Sequence, residues 1–198
     1  MSEADRRKWN ERYREGAYAE REHPTALLEE WSARLPRGRA LDVACGAGRN
    51  SLFLASTGRQ VDAVDISGVA LDRARQAAAD RGLDVRFIEA DLESAALPAG
   101  PYDLIVLVRY VNRALFPQLI ERFAAGGVLL CEQHVDADED VAGPRSAAFR
   151  MRRNELLRAA LSAPPGQAIV ELYREGIVTD PDGRRVALAQ LILRGKAR

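Results

Sequence analysis

The stretch from Arg39 to Asp65 admits few folds. Residues 39–44 form a short apolar run that must give way to a sharp turn at Gly46-Ala47-Gly48. Glycine adopts positive φ freely and leaves room for a ligand to approach the backbone. Ser51 to Ala55 then fit the start of a helix whose free N–H groups point back at the turn. A second apolar run ends at Asp65, 17 residues after Gly48. Strand, glycine turn, helix and strand in that order open a doubly wound α/β sheet, and a carboxylate at the end of the second strand can accept both hydroxyls of a ribose.

The alternation continues. Strands are expected at 39–44, 60–65, 84–89, 102–108 and 127–134, with helices at 49–57, 68–80 and 112–124. Such a pattern argues for a parallel sheet with right-handed crossovers. Ahead of it, residues 3–15 read as a polar helix with Trp9 and Tyr13 on one face, and residues 24–34 as a second helix with Pro24 near its first turn. Behind it come a helix at 146–161 and strands at about 167–177 and 184–194, joined by Asp180-Pro181-Asp182-Gly183, which makes them an antiparallel hairpin. The expected fold is α/β: a doubly wound, mostly parallel, seven-stranded Rossmann-like sheet with a C-terminal antiparallel hairpin and an N-terminal helical lid.

A chain of 198 residues suits one domain, with residues 1–36 as N-terminal helices and lid and 37–198 as the α/β core. Lys plus Arg equals Asp plus Glu at 29 each, so no global field recruits nucleic acid or an acidic membrane. Cys45 and Cys131 fall on separate expected strands without metal-type spacing, which suits a reducing compartment and gives no metal site. The charged start Met1-Ser2-Glu3-Ala4-Asp5-Arg6-Arg7-Lys8 lacks the apolar stretch of a signal peptide, and no run is long enough to span a bilayer. A cytoplasmic location is the expectation.

A dinucleotide site shares the glycine turn, so Asp42 arbitrates. It lies four residues before Gly46 on the strand leading into the turn, where a carboxylate repels a pyrophosphate but favours a cationic ligand. In an otherwise apolar strand it needs a ligand or a buried partner, and a ligand is the preferred reading. The third position of the dinucleotide fingerprint is also off pattern, being Ser51.

A third strand ends in Phe87-Ile88-Glu89-Ala90-Asp91-Leu92, 26 residues after Asp65, followed by Tyr102-Asp103-Leu104-Ile105-Val106-Leu107-Val108 and by Phe123-Ala124-Ala125-Gly126-Gly127-Val128. With Leu41 to Gly48, these segments resemble the class I S-adenosylmethionine-dependent methyltransferases over residues 39–134. The resemblance implies S-adenosylmethionine as cofactor and S-adenosylhomocysteine as product. It implies cofactor contacts at Ala44, Asn50, Ile66, Asp91, Leu92 and Val108 beside Asp42, Gly46, Gly48 and Asp65, with Asp91 on the adenine amino group.

Trp9-Asn10-Glu11-Arg12-Tyr13 is similar to the opening of small-molecule methyltransferases of the tellurite-resistance and thiopurine S-methyltransferase type. That resemblance implies that Trp9 and Tyr13 fold over the cofactor; an ordinary aromatic pair docking a helix is the other reading. Glu20-Arg21-Glu22-His23-Pro24 departs from the family pattern.

Ligands in open α/β sheets sit beyond the strands' C-terminal ends, which directs attention to Arg109 to Arg113 after the fourth strand and Glu132 to Val135 at the end of the fifth. Arg109 or Arg113 can grip an anionic substrate, Tyr110 and Asn112 can supply hydrogen bonds, and His134 can take a proton from an incoming thiol or hydroxyl. Arg109, Tyr110 and His134 are the candidate catalytic residues, each set against an ordinary loop role. Cys45 reads as a small apolar filler. Residues 135–153, with Gly143-Pro144 as a hinge, read as a substrate loop or a solvated charged face.

The expected function is methyl transfer from S-adenosylmethionine to a small-molecule nucleophile, a thiol or chalcogen oxyanion being the narrow choice, with no nucleic-acid or membrane partner. A non-catalytic S-adenosylmethionine-binding interaction module and a nicotinamide-dependent oxidoreductase are the alternatives.

Overall fold

The computed structural model describes residues 3–162 and 167–197. Its seven strands are β1 (Arg39–Val43), β2 (Gln60–Asp65), β3 (Val85–Glu89), β4 (Tyr102–Val108), β5 (Phe123–His134), β6 (Ala168–Thr179) and β7 (Arg185–Gly195). They form one sheet in the order β3-β2-β1-β4-β5-β7-β6. The first five strands pair in parallel and β7 runs antiparallel to both β5 and β6. The strand order reverses between β1 and β4, and such a switch point opens a crevice at the strands' C-terminal edge.

Alternating side chains on the central strands feed two cores. Leu41, Val43, Ile105, Leu107, Leu129 and Cys131 pack on one face against α5 (Leu115–Glu121) and α6 (Glu155–Leu161), through Leu115, Leu119 and Leu156. Ala40, Leu104, Val106, Val128 and Leu130 face the other way, onto Leu27 and Leu28 of α2 (Ala26–Trp31) and Leu54 of α3 (Arg49–Ser56). α4 (Gly68–Asp80) covers the β2 side of that same face, with Leu71 against Ala63. Each wholly buried leucine contributes about 1.5 to 3 kcal/mol, and strands buried on both faces explain why these runs read as nearly continuous apolar stretches.

α1 (Glu3–Arg14) is tied to the start of α4. Asn10 Oδ1 accepts from the Ser67 hydroxyl at 2.8 Å and the Val69 N–H at 3.3 Å, and Arg73 donates to the Tyr13 carbonyl. No described helix is long and apolar enough to cross a membrane.

Two expectations are corrected. The helix expected at 146–161 is broken into a 3-10 turn at Ala147–Phe149 and α6. Between them Met151 is extended beside β5: its N–H donates to the His134 carbonyl at 2.8 Å, and its carbonyl accepts the Asp136 N–H at 3.0 Å. Asn154 then re-enters helix through a left-handed φ of 59°. A pairing across 17 residues overrides the local helical preference of this segment. Second, β5 begins at Phe123 rather than 127, because Tyr102 pairs with Phe123 before a register shift brings Leu104 opposite Val128.

Candidate functional site

The turn after β1 passes through three left-handed residues, Ala44 at φ 56°, Gly46 at 57° and Gly48 at 83°. Only Ala44 among them carries a side chain, at a cost of about 1 to 2 kcal/mol. The Cys45 N–H bonded to the Val64 carbonyl at 3.0 Å, and the Gly48 N–H bonded to the Cys45 carbonyl at 3.0 Å, hold the turn in place. A Cβ on Gly48 would stand 2.9 Å from the Ala74 methyl, so the glycine lets α4 close onto the turn.

Asp65 ends β2 beneath this turn. Its Oδ2 accepts the Gly46 N–H at 2.8 Å and its Oδ1 accepts the Ser67 N–H at 2.8 Å, so one carboxylate fastens the turns after both strands. Burial raises its pKa, against the pull of these N–H groups. A carboxylate oxygen accepts about two hydrogen bonds, which leaves capacity on each for a vicinal diol.

Asp42 is only 1% exposed and accepts the Ser51 hydroxyl at 2.5 Å. The sequence left a choice between a ligand and a buried partner for this carboxylate; the structure supplies the partner, and it is the residue that broke the dinucleotide fingerprint. Burial lifts the Asp42 pKa to about 7, and the Ser51 hydrogen bond opposes that rise. Asp42 therefore lies under the turn, enclosed with Ser51 rather than presented to a bound group.

Tyr13 is the α1 residue that meets the turn, since a Cβ on Gly46 would overlap its hydroxyl. Its ring lies 6.4 Å from Trp9 and 5.9 Å from Tyr18, while the Arg12 guanidinium stacks on Trp9 at 4.9 Å. The two rings read together in sequence thus differ: Tyr13 is buried on the turn, and Trp9 is half-buried with a cation on its ring. Burial, with Asp65 nearby, pushes the Tyr13 phenol well above its ordinary range. Cys45 is buried and burial raises its thiol likewise, which agrees with an inert filler.

Along the same edge, Asp91 follows β3 and accepts the Glu93 N–H at 3.0 Å, with Ile66 and Leu92 buried nearby in the chain's turns and Val108 closing β4. The Asn112 amide donates to the Leu92 carbonyl at 3.4 Å, and the loops after β3 and β4 wall a cavity of about 450 Å³. Tyr110 is half-buried and burial pushes its phenol up to about 12.

Arg109 is left-handed at φ 59°, and its guanidinium is engaged. It donates to Asp180 at 2.7 and 2.5 Å and to Glu132 Oε1 at 3.3 and 3.2 Å, so the fork expected to grip a substrate anion is spent on the protein. Arg113 likewise pairs with Glu155. Glu132 also accepts from the Thr25 hydroxyl at 2.7 Å and the Gln190 amide at 2.7 Å, and Asn50 Oδ1 accepts the Thr25 N–H at 3.0 Å. This buried chain of polar groups escaped the sequence reading, although a glutamate inside the apolar run ending at His134 was a signal for it. Burial, then the Arg109 and Arg21 charges, push His134 down to about 4.

A sheet that switches direction between β1 and β4, with a glycine turn after its first strand pinned by the carboxylate that ends its second, gives the chain a Rossmann-like methyltransferase fold. Residues 40–126 match the methyltransferase domain family, whose cofactor is S-adenosylmethionine. Ribosomal protein L11 methyltransferase of Thermus thermophilus is 36% identical over 94 residues, which are 46% of this chain and 37% of that protein. Ubiquinone biosynthesis O-methyltransferase of Xanthomonas axonopodis pv. citri is 36% identical over 101 residues, 50% of this chain and 42% of that one. The chain thus spans less than half the length of these relatives. The crystal structure of TehB from Haemophilus influenzae shares the fold, with a TM-score of 0.69 at 23% identity over 86% of this chain and 61% of that one.

Proposed function

We propose that this protein transfers the methyl group of S-adenosylmethionine to a small nucleophile, and that the whole chain acts as one methyltransferase domain in the cytosol, with residues 1–36 as its lid. The observation that carries this reading is Asp65 holding the Gly46 N–H at 2.8 Å, which presets the glycine turn and aims a carboxylate at the ribose position. Asp42, enclosed under the turn and held protonated up to about pH 7, carries a negative charge only above that pH, where it disfavours the pyrophosphate of a nicotinamide cofactor. When bound, S-adenosylmethionine supplies an electrophilic methyl carbon on a sulfonium leaving group.

The residues present fit that group. Asp65 would hold the ribose, Gly46 and Gly48 the approach of the backbone, Asp91 and Leu92 the adenine, with Ala44, Ile66 and Val108 as walls. Asn50 would act by holding Thr25 rather than by direct contact. Tyr13 covers the turn and excludes water, which in-line displacement needs more than it needs an acid–base pair. His134 is neutral at pH 7 and can accept a hydrogen bond from the acceptor, but burial and the Arg109 charge that hold it down to about 4 make it a weak base, which favours an acceptor that arrives already ionised. A thiol or chalcogen oxyanion is the narrow choice of acceptor, with Tyr110 beside it.

Isothermal titration with S-adenosylmethionine, S-adenosylhomocysteine and NAD tests this reading, followed by a methyl-transfer screen that begins with thiols and chalcogen oxyanions. Micromolar binding of the first two, silence from NAD and turnover on one acceptor is the expected result; a well-folded protein that binds none of them sinks it. One observation favours the second reading, a binding module without turnover: the Tyr13 hydroxyl already stands over Gly46. Cofactor binding without turnover on any acceptor, in both the wild type and Tyr13→Ala, would select it.

A further inference from the structure

The loop after β4 stands between two cavities at the C-terminal edge of the sheet. Asn112 lines the one of about 450 Å³ described above, and its neighbour Arg113 lines a second of about 540 Å³. Three segments that only the fold brings together wall this second cavity: Arg113, Asp136 just past the end of β5, and the stretch from the 3-10 turn into α6. Its charged lining is Arg113, Arg150, Arg152 and Arg158 with the carboxylates Asp136 and Glu155. Direct contacts fix this arrangement. Arg113 donates to both oxygens of Glu155 and to the Arg150 carbonyl at 3.3 Å. The Arg152 N–H donates to Glu155 at 2.8 Å, and the Arg158 guanidinium turns back to the Arg153 carbonyl at 3.1 Å. Arg150 Nε stands 3.5 Å from Asp136 and makes no hydrogen bond.

Asp136 thus serves Arg150, and Glu155 serves Arg113 closely and Arg152 at longer range. The side chains of Arg152 and Arg158 form no ion pair among the described residues. Charges just outside the wall do not change the balance: Arg153 pairs with Asp138, and Glu175, which shares the surroundings of Tyr173 with Arg158, accepts the Asn154 N–H and the Tyr173 hydroxyl. Four guanidinium groups therefore share two carboxylates across the cavity, and two positive charges remain. Guanidinium forks match oxyanions in shape, and a phosphate monoester brings close to two negative charges and three terminal oxygens at neutral pH. A single carboxylate would satisfy one fork and leave the other. Small-molecule sites occupy about 300 to 1,000 Å³, so the cavity has room for more than the anion itself. Ala147 and Ala148 put only methyl groups into its wall, which suits the body of an organic molecule.

We infer that this cavity binds a doubly charged phosphoryl group carried by the methyl acceptor, with Arg152 and Arg158 gripping it and Arg113 and Arg150 as its fixed wall. The inference rests on the methyltransferase reading and narrows its substrate class to phosphorylated small molecules. The cavity lies beyond the ends of β4 and β5, where an acceptor lies in a sheet of this topology. Anchoring the acceptor by a group remote from the reacting atom supplies the alignment that in-line displacement requires.

The test is calorimetric titration of the full chain, with and without saturating S-adenosylhomocysteine, at about pH 7.5, where phenyl phosphate carries nearly two charges. Phenyl phosphate is compared with benzenesulfonate, which has the same shape and one charge, and with inorganic phosphate. Wild type is set beside Arg152→Gln, Arg158→Gln, the double variant and Arg81→Gln, a control at the exposed end of α4. Arg152 and Arg158 are exposed, so the variants should keep the wild-type circular dichroism spectrum. Phenyl phosphate should bind the S-adenosylhomocysteine-loaded protein more tightly than either comparison ligand. Each single change at Arg152 or Arg158 should weaken it about threefold and the double change about tenfold, with Arg81→Gln and S-adenosylhomocysteine affinity unaffected. Equal binding of phenyl phosphate and benzenesulfonate, no binding of phenyl phosphate, or an equal loss in Arg81→Gln overturns the proposal. Inorganic phosphate binding as tightly as phenyl phosphate makes the cavity a site for the free ion, and competition with S-adenosylhomocysteine gives it to the cofactor; either result overturns the acceptor assignment. A wild type that binds phenyl phosphate through Arg152 and Arg158 yet fails to bind S-adenosylhomocysteine sinks the methyltransferase reading and leaves the phosphoryl site standing.

Discussion

The Ser51 hydroxyl donates to Asp42 Oδ2 at 2.5 Å, with Asp42 1% exposed and Ser51 fully enclosed. This pair joins β1 to the first turn of α3 beneath the glycine turn, and it is the local reason a carboxylate persists in an apolar strand. Ser51→Ala removes the hydroxyl donor and leaves the enclosed Asp42 only the backbone bond of residue 51, at a cost of about 1 to 3 kcal/mol. Urea unfolding of Ser51→Ala and of Ser51→Ala/Asp42→Asn measures it; the double variant should recover part of the loss, and strict additivity would show that the bond contributes nothing.

The pH dependence of stability follows from two opposed groups. Asp42, raised in the fold from 3.8 to about 7, keeps its proton where the unfolded chain has lost it, so its contribution is fully present below pH 3.8 and is lost as pH rises to about 7. His134, lowered from 6.5 to about 4, contributes stability above pH 6.5 that is lost as pH falls toward 4. The two offset one another between pH 4 and 6.5. Asp42→Asn should therefore make stability fall more steeply on acidification than in the wild type, and His134→Gln should make it rise. Parallel curves for wild type and variants across that window would refute both assignments.

Asp65→Asn keeps an amide oxygen for one of the two N–H groups and removes the charged acceptor from the ribose position. S-adenosylhomocysteine should bind about tenfold more weakly or worse, with the circular dichroism spectrum retained. Unchanged affinity in a folded variant would count against Asp65 as the ribose ligand.

Gly46→Ala places a methyl where the Tyr13 hydroxyl stands and holds alanine at φ 57°. The backbone share of the cost is about 1 to 2 kcal/mol, and the overlap with Tyr13 adds to it. Gly46→Ala/Tyr13→Ala should be more stable than the sum of the single changes predicts, because removal of the ring relieves the overlap. Simple additivity would place Tyr13 away from the turn.

Arg109→Met strands Asp180 and Glu132 without their cation and should cost about 3 to 5 kcal/mol. A loss of less than about 1 kcal/mol by urea unfolding would mean that the pair is shared with water and does not buttress the site.

Much of this architecture is written in local patterns. Apolar runs of strand length, the Gly46-Ala47-Gly48 turn and the Asp180 to Gly183 hairpin specify β1 to β7 because each pattern acts over a few residues. The break of the helix expected at 146–161 was not legible, because Met151 is held by a backbone pairing to His134 that no nearest-neighbour pattern encodes.

By itself the sequence determined the order of strands and helices, the place of the glycine turn and the carboxylate beneath it, since periodicity, turn chemistry and the spacing from Gly46 to Asp65 are properties of contiguous chain. Tertiary structure alone decided the pairings: that Asp42 belongs to Ser51, that Arg109 is spent on Glu132 and Asp180, and that Asn50 holds Thr25. A side chain's charge is visible in sequence, but its partner is settled by which distant loops the packed sheet brings within about 3 Å, and at that range burial sets the strength of each contact.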